Sequence, residues 1–175
     1  NLINRFENIN VEIKKNSLVI FVNPSTPDGK YYELEELMKK WIESSCTILI
    51  DESFLDFCDK ASAIKYLETY DKLYILKSMT KFYSSAGIRV GTIVSTKENI
   101  EKLKEFEPMW KLSQFDSIYL QNALEDRVFK GVSQKVNEKN RIELESILKG
   151  SSFVEEISTS SANYILVKLK DIKAK

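Results

Sequence analysis

The chain has 175 residues, of which 43% are hydrophobic and 30% are charged, and its 26 basic side chains balance 26 acidic ones. This composition is typical of a soluble globular protein, and the zero net charge argues against nucleic acid as a partner. No apolar run approaches the roughly 20 residues of a membrane-spanning helix. The absence of histidine excludes Ser-His-Asp and Cys-His catalysis, and the two cysteines form no paired metal motif. We therefore predict a soluble cytoplasmic protein with reduced thiols, no metal site and no membrane partner.

The first part of the chain alternates between apolar runs and helical stripes. Residues 1–16 are mixed, with a possible edge strand at 11–13. Residues 18–22 form a continuous β-branched run that ends in a cluster of turn formers at 23–29, which predicts a buried parallel strand followed by a turn. A helix is predicted next, because its apolar residues repeat with helical spacing at Leu34, Leu37, Met38, Trp41 and Ile42.

Two further strands are predicted at 47–50 and 73–76, separated by a less regular helical stretch at about 61–69. This alternation favours a parallel sheet with right-handed crossovers. A fourth strand is predicted at 88–94, after a connection of only about ten residues, whereas a parallel return needs a dozen or more. We therefore expect the fourth strand to be antiparallel.

The rest of the chain is mostly helical in pattern. A capping box at 95–98 predicts a helix that runs to about Glu107, where Pro108 stops it. Residues 112–148 continue the helical pattern, with a kink expected at Gly131 and Gly150 as the C′ residue. Two strands of a hairpin-like unit are predicted at 153–154 and 162–167. The change of pattern predicts one domain over residues 1–110 and the start of a second over residues 111–175.

Polar side chains follow three of the predicted parallel strands, at the edge where open α/β sheets place their ligands. Asn23 follows the first, Asp51 ends the second, and the loop Ser78–Lys81 follows the third. Two hydroxyls, a lysine and the nearby Arg89 suit a phosphate held next to a reactive amine, so Lys81 is predicted to carry a cofactor covalently. The alternative from another class is a non-catalytic α/β binding module in which Lys81 is a surface lysine.

Four motifs in order resemble those of a known family. They are Asn23-Pro24-x-x-Pro27-x-Gly29, Asp51-Glu52-x-Phe54, Ser78-x-Thr80-Lys81 and Gly87-x-Arg89-x-Gly91. Together they look like the fold-type I pyridoxal-phosphate enzymes, in the class I/II aminotransferase branch. Within it, the segments at 51–57 and 78–83 are most similar to histidinol-phosphate aminotransferases and the related threonine-phosphate decarboxylases. Residues 161–164 resemble a segment of that family's small domain, and the resemblance covers about residues 17–168.

The resemblance implies a fold and a cofactor. The fold would be the mostly parallel sheet of the large domain with one antiparallel strand, then long helices and the start of a small α+β domain. The cofactor would be pyridoxal 5'-phosphate, bound to Lys81 as a Schiff base, and Lys81 would move the substrate's α-proton as general base and acid. Asp51 would pair with the pyridine nitrogen, and Asn23 would donate its amide to the cofactor's phenolic oxygen.

The same resemblance implies a phosphate site and one departure from the family pattern. Ser78, Thr80 and Arg89 would hold the 5′-phosphate, with Arg89 able to make bidentate contacts. Phe54 occupies a cofactor-binding position where the family often has a tyrosine whose hydroxyl bonds the phenolic oxygen. Phenylalanine at this position occurs among the decarboxylase-like members.

The implied reaction transfers an amino group from a small phosphorylated amino compound, such as histidinol phosphate, to the oxo acid 2-oxoglutarate. Decarboxylation of threonine phosphate is the alternative reaction with the same cofactor. The resemblance also implies a homodimer. The chain begins at Asn1 without methionine, and the family's amino-terminal third and its carboxyl-terminal substrate arginine lie outside it. We therefore expect it to be a piece of a longer protein.

Overall fold

A computed structural model describes residues 9–170. Its main sheet has four strands in chain order, β1 (Leu18–Val22), β2 (Thr47–Asp51), β3 (Leu73–Ser78) and β4 (Gly91–Val94). β1, β2 and β3 are parallel, and β4 runs antiparallel to β3, which confirms both predictions. β4 begins at Gly91 rather than at Ile88, because Arg89 has a left-handed backbone (φ +58) that cannot belong to an extended strand.

The core lies on one face of this sheet, where helix α1 (Glu35–Glu43) packs. Leu37, Met38 and Trp41 of α1 are buried, as the helical spacing predicted. The sheet contributes alternate residues of its central strands, and the fully buried members are Ile48, Ile50, Leu73 and Ile75. Each such side chain stabilises the fold by about 1.5–3 kcal/mol. The opposite face is open, since Leu18 and Ile20 of β1 are 63% and 64% exposed.

Three short helical segments shape the edge of the sheet. Two are 3₁₀ helices, Leu55–Phe57 after β2 and Ala63–Glu68, the latter within the irregular helical stretch predicted at 61–69. The third is α2 (Met79–Phe82), which begins directly after β3. The edge strand predicted at 11–13 does not form: Ile13 instead packs against the core without pairing in the sheet.

Helix α3 (Lys97–Lys104) ends earlier than the predicted Glu107, and its cap lies one residue later than predicted. Thr96 is the N-cap and accepts a hydrogen bond from the backbone N–H of Asn99. The predicted cap, Ser95, donates its hydroxyl to the carbonyl of Leu73 on β3 instead.

Two long helices follow, α4 (Gln114–Glu125) and α5 (Phe129–Lys149). In the connection between them, the Asp126 carboxylate accepts the N–H groups of Val128, the N-cap of α5, and of Phe129, its first residue. Gly131 lies in the first turn of α5, and the kink expected there stays a prediction. Gly150 is the C-cap of α5, one position earlier than the predicted C′, and has a right-handed backbone (φ −76).

A second sheet pairs β5 (Val154–Ile157) with β6 (Val167–Leu169) in antiparallel fashion. The strand predicted at 162–167 overlaps β6 only at Val167. The reason is tertiary: Ser161 and Tyr164 hydrogen-bond the loop after β1, so this part of the segment does not join a sheet. The domain boundary near residue 110 stays a prediction. The two ends of the chain, residues 1–8 and 171–175, lie outside the described residues.

None of the helices between residues 9 and 170 combines the length and apolarity that a membrane span requires.

Candidate active site

The carboxyl ends of β1, β2 and β3 meet at one edge of the sheet, which we call the rim: residues 23–29, 51–54 and 78–81. The strand register pairs Val22 with Asp51 and Asp51 with Leu76. Backbone hydrogen bonds continue past the last paired residues, from Asn23 N to Asp51 O (2.9 Å) and from Glu52 N to Leu76 O (2.8 Å). The rim thus brings the three predicted site segments side by side.

Asn23 is buried at the rim and its amide is fixed by the backbone of Tyr32. Its Oδ1 accepts the Tyr32 N–H and its Nδ2 donates to the Tyr32 carbonyl, both at 2.9 Å. This pairing sets which end of the amide is nitrogen. Nδ2 carries two hydrogens and makes one hydrogen bond among the described residues, which leaves a second donor for a ligand.

Asp51 presents a half-buried carboxylate that is held from one side. Its Oδ1 accepts the backbone N–H of Ser53 at 2.9 Å and also the Ser53 hydroxyl. Among the hydrogen bonds of the described residues, none uses Oδ2. The carboxylate is therefore oriented while one oxygen stays available to a cationic N–H donor.

Lys81 lies in the short helix α2 with its side chain exposed. Its Nζ lies 4.9 Å from the centre of the Phe54 ring, a cation–π contact that stabilises by about 0.5–1 kcal/mol at an exposed site. The hydroxyls of Ser78 and Thr80 hydrogen-bond each other at 2.8 Å. The structure therefore joins Phe54 to Lys81, and Ser78 to Thr80.

Arg89 lies close to this segment in the chain but makes a different contact. Its neighbour Val90 accepts the N–H of Met79 at 3.1 Å, which anchors the residue 89 loop beside α2. The guanidinium donates to the carbonyl of Ala86 at 3.0 Å, and no contact among the described residues joins it to Ser78 or Thr80. Its left-handed backbone stores about 1–3 kcal/mol of strain, and such strain clusters at functional sites.

Glu52 of the rim forms an ion pair with Lys77 on the core face of the sheet, and this pair was not predicted from the sequence. Glu52 is 2% exposed and lies 3.2 Å from the Lys77 ammonium. It also accepts the Ser62 hydroxyl and the Ala63 N–H, both at 2.7 Å. The signal was present, because Glu52 and Lys77 directly follow the register pair Asp51–Leu76 and so fall on the core face.

Aromatic rings connect the rim to the carboxyl-terminal half of the chain. Phe82 of α2 is buried against Phe57 and Phe129, with ring centres 5.1 and 5.4 Å apart. Tyr164 meets the Phe54 ring at 87° with centres 5.0 Å apart. In the sequence Tyr164 stands out only as part of a family-like segment, because a contact across so many residues leaves no local pattern.

Helix α5 fixes the turn after β2 through side-chain amides. Gln134 donates to the carbonyls of Asp56 and Cys58, and Asn137 donates to that of Phe57. A cavity of about 390 Å³ lies between these elements, and its lining includes none of the candidate residues. Cys58 borders the cavity, and burial raises the pKa of its thiol to about 11, which leaves the thiol unreactive at neutral pH. The candidate site residues therefore lie outside this cavity.

A family model described as aminotransferase class I and II matches residues 1–169. The chain belongs to this aminotransferase family. Among its curated relatives, the histidinol-phosphate aminotransferase of Buchnera aphidicola subsp. Schizaphis graminum is 32% identical over 164 residues, which span 91% of the chain and 46% of that protein. The one from Staphylococcus haemolyticus is also 32% identical, over 92% of the chain and 46% of that protein.

Solved structures agree with this membership. The histidinol-phosphate aminotransferase from Clostridium acetobutylicum has a TM-score of 0.82 and 30% identity, covering 89% of the chain and 48% of that structure. The L-threonine-O-3-phosphate decarboxylase from Porphyromonas gingivalis has a TM-score of 0.78 at 19% identity, covering 89% and 48%, and shows the shared fold alone. The chain spans about half the length of the aminotransferases that it matches.

Proposed function

We propose that the protein is a pyridoxal-phosphate-dependent aminotransferase of the histidinol-phosphate type, with Lys81 as the residue that carries the cofactor. The observation that supports this most is the rim itself. Adjacent strand ends set an oriented amide at Asn23, an oriented carboxylate at Asp51 and an exposed amine at Lys81 along one edge. Membership of the aminotransferase family gives this set its chemical meaning.

The donor and acceptor groups of the rim suit pyridoxal 5'-phosphate. Asp51 has an oxygen to receive a pyridinium N–H, and Asn23 has an amide hydrogen for a phenolic oxygen. The paired hydroxyls of Ser78 and Thr80, with the Arg89 guanidinium, supply donors for a phosphate. When bound, this cofactor supplies an electron sink for a carbanion next to the substrate amine.

The chain's own residues would then divide the work. The Lys81 amine would hold the cofactor covalently and move the proton at the substrate α-carbon. Asp51 would favour the protonated ring nitrogen through a charge-assisted hydrogen bond worth roughly 1.5–3 kcal/mol. Phe54 would form an apolar wall beside Lys81 without contributing a hydroxyl.

The proposed substrates are histidinol phosphate as amino donor and 2-oxoglutarate as acceptor, by analogy with relatives of about 30% identity. Decarboxylation of threonine phosphate is the second candidate. Phe54 favours it, because a phenylalanine cannot donate the hydroxyl that the aminotransferase branch often places there. Glutamate formation from histidinol phosphate and 2-oxoglutarate would support the first reaction. Carbon dioxide release from threonine phosphate, independent of any oxo acid, would overturn it in favour of the second.

Covalent attachment to Lys81 is tested by spectroscopy. The protein mixed with pyridoxal phosphate should develop a near-visible absorbance band, and borohydride reduction should leave a stable adduct on the Lys81 peptide. Lys81→Ala should abolish both. Lys65→Ala is the matched control, because Lys65 is also an exposed lysine over an aromatic ring, with Nζ 5.0 Å from the Tyr66 ring centre. A wild-type protein without the band, or an adduct that survives in Lys81→Ala, would refute the assignment.

We also propose that the protein is a homodimer. Large apolar side chains are exposed between α3 and α4, with Phe106, Met109 and Trp110 at 85%, 91% and 89% exposure. Exposed patches of this kind typically mark interaction surfaces. Sedimentation equilibrium should give twice the monomer mass, and Trp110→Ser should weaken the association. A wild-type protein that sediments as a monomer would contradict the proposal.

A domain boundary near residue 110 is proposed for the same stretch. Residues 105–113 are exposed and lie, along the chain, between the strands of the first sheet and those of the second. Limited proteolysis should cut there first, and early cleavage elsewhere would argue against it.

The protein is further proposed to be cytoplasmic. Cys46 and Cys58 are both free, as expected in a reducing compartment, and cell fractionation tests this location.

A further inference from the structure

Tyr164 lies just before β6, yet it contacts two separate parts of the rim. Its hydroxyl donates to the carbonyl of Ser25 at 2.8 Å, across 139 residues of sequence, and lies 3.2 Å from the Thr26 hydroxyl. Its ring packs against that of Phe54 at 5.0 Å. One side chain thus connects the loop that follows Asn23 with the loop that follows Asp51.

The hydroxyl of Tyr164 completes the hydrogen bonding of the loop after β1. The Ser25 carbonyl accepts the Gly29 N–H at 2.8 Å as well as the Tyr164 hydroxyl, so both of its lone pairs are used. The Gly29 carbonyl in turn accepts the Ser161 N–H at 2.7 Å. The loop that begins at Asn23 is therefore held in one shape by the segment before β6.

The ring of Tyr164 supports the wall beside the reactive amine. The Phe54 ring contacts Tyr164 on one side and receives the Lys81 ammonium at 4.9 Å. Perpendicular aromatic pairs contribute about 0.5–1.5 kcal/mol beyond their buried area, which is comparable to the cation–π contact itself. The Phe54 ring therefore contacts both Tyr164 and the Lys81 amine.

We propose that Tyr164 is a positioning residue of the Lys81 site, acting through its hydroxyl on the Asn23 loop and through its ring on Phe54. The inference rests on the proposed function, in which Asn23 and Lys81 hold the cofactor. The competing explanation is that Tyr164 only docks the β6 segment onto the sheet. Docking alone would change stability without changing how the cofactor binds.

The test uses two variants of the otherwise unchanged protein. Tyr164→Phe removes only the hydroxyl, and Tyr164→Leu also removes the ring. Tyr70→Phe is the matched control, because the Tyr70 hydroxyl donates to the carbonyl of Cys46 at the opposite end of β2. In Tyr164→Phe without cofactor, the Ser25 and Gly29 amides should exchange with solvent about ten times faster. Its dissociation constant for pyridoxal phosphate should rise about three- to tenfold, as expected for one net hydrogen bond. Tyr70→Phe should leave both quantities at the wild-type value.

The ring contact is tested by the rate at which the borohydride-reducible adduct forms on Lys81. This rate should fall in Tyr164→Leu and be restored in Tyr164→Phe, which keeps the ring. Wild-type affinity for pyridoxal phosphate in both Tyr164 variants, whether or not amide exchange changes, would overturn the proposal in favour of docking alone, and equal changes in Tyr70→Phe would also overturn it. A wild-type protein that forms no adduct would overturn the proposed function instead, so the two failures are distinguishable.

Discussion

Removing the buried carboxylate of Glu52 should strongly destabilise the rim. The side chain is 2% exposed and accepts the Ser62 hydroxyl and the Ala63 N–H while it pairs with Lys77 at 3.2 Å. Glu52→Ala would leave the Lys77 ammonium, whose side chain is 18% exposed, without its partner. It would also leave a buried N–H unsatisfied and a cavity where the carboxylate stood.

Breaking one side of a buried ion pair costs about 3–5 kcal/mol. That is a large part of the roughly 5–15 kcal/mol that holds a typical domain together. Glu52→Gln keeps the volume and one acceptor oxygen but loses the charge, so its cost should be near 1.5–3 kcal/mol. Glu52→Ala should be more destabilising than Glu52→Gln, because alanine loses every contact of the carboxylate and glutamine keeps some of them.

Urea unfolding measures the cost of Glu52→Ala, Glu52→Gln and Lys77→Met. The double variant that combines Glu52→Ala with Lys77→Met completes a double-mutant cycle. The double variant should be less destabilised than the sum of its singles by more than about 1 kcal/mol, since each single leaves the other charge unpaired. Glu155→Ala is the control: its pair with Lys168 is shorter, at 2.6 Å, but exposed, and should matter far less. Additive single effects, or an equal loss in Glu155→Ala, would refute the reasoning.

Three further predictions concern backbone strain and titration. Gly29→Ala should lower the free energy of unfolding, measured in urea, by at least about 1–2 kcal/mol, because Gly29 has a left-handed backbone and the new Cβ would lie 2.0 Å from Ser160 Oγ. The control is Gly131→Ala, whose Cβ meets nothing within 4 Å and which should be neutral or stabilising. Arg89→Gly should relieve the strained backbone and raise the melting temperature while weakening pyridoxal phosphate binding; Arg89→Ala, which keeps the strain, should only weaken binding. Burial raises the Cys58 pKa from its usual 9 to about 11, so the unfolded chain loses this proton first and stability should fall as pH rises from 9 towards 11. A Cys58→Ser variant with an unchanged alkaline stability profile would contradict the last prediction.

The parts of the fold that the sequence predicted well are those with a local cause. β1, β2 and β3 are continuous apolar runs, and α1 carries its apolar residues at helical spacing, so both types were visible as patterns. The direction of β4 followed from the length of its connection. Its start did not, because Ile88 and Val90 look extended in sequence while Arg89 between them is left-handed.

The elements that failed depend on distant contacts or on a competing local cap. Residues 162–164 have strand-like composition, but they dock on the loop after β1 and stay outside the second sheet. Ser95 was predicted to cap α3, but its hydroxyl donates to the Leu73 carbonyl on β3, and Thr96 is the cap. A single sequence shows which residues can cap or pair, and tertiary contacts decide which of them do.

The candidate site was visible in sequence because strand ends carry their own register. Side chains alternate between faces, so the consecutive carboxylates Asp51 and Glu52 point to opposite sides of the sheet. Asp51 shares its face with Ser78, two residues past its register partner Leu76, while Glu52 falls on the core face with Lys77. The same two strand ends therefore supply both the carboxylate that we propose to face the cofactor and the buried ion pair beside it. A shift of one residue in either strand would exchange the two faces, placing the charged pair in solvent and Asp51 in the core. The buried pair thus fixes the register on which the position of Asp51 depends.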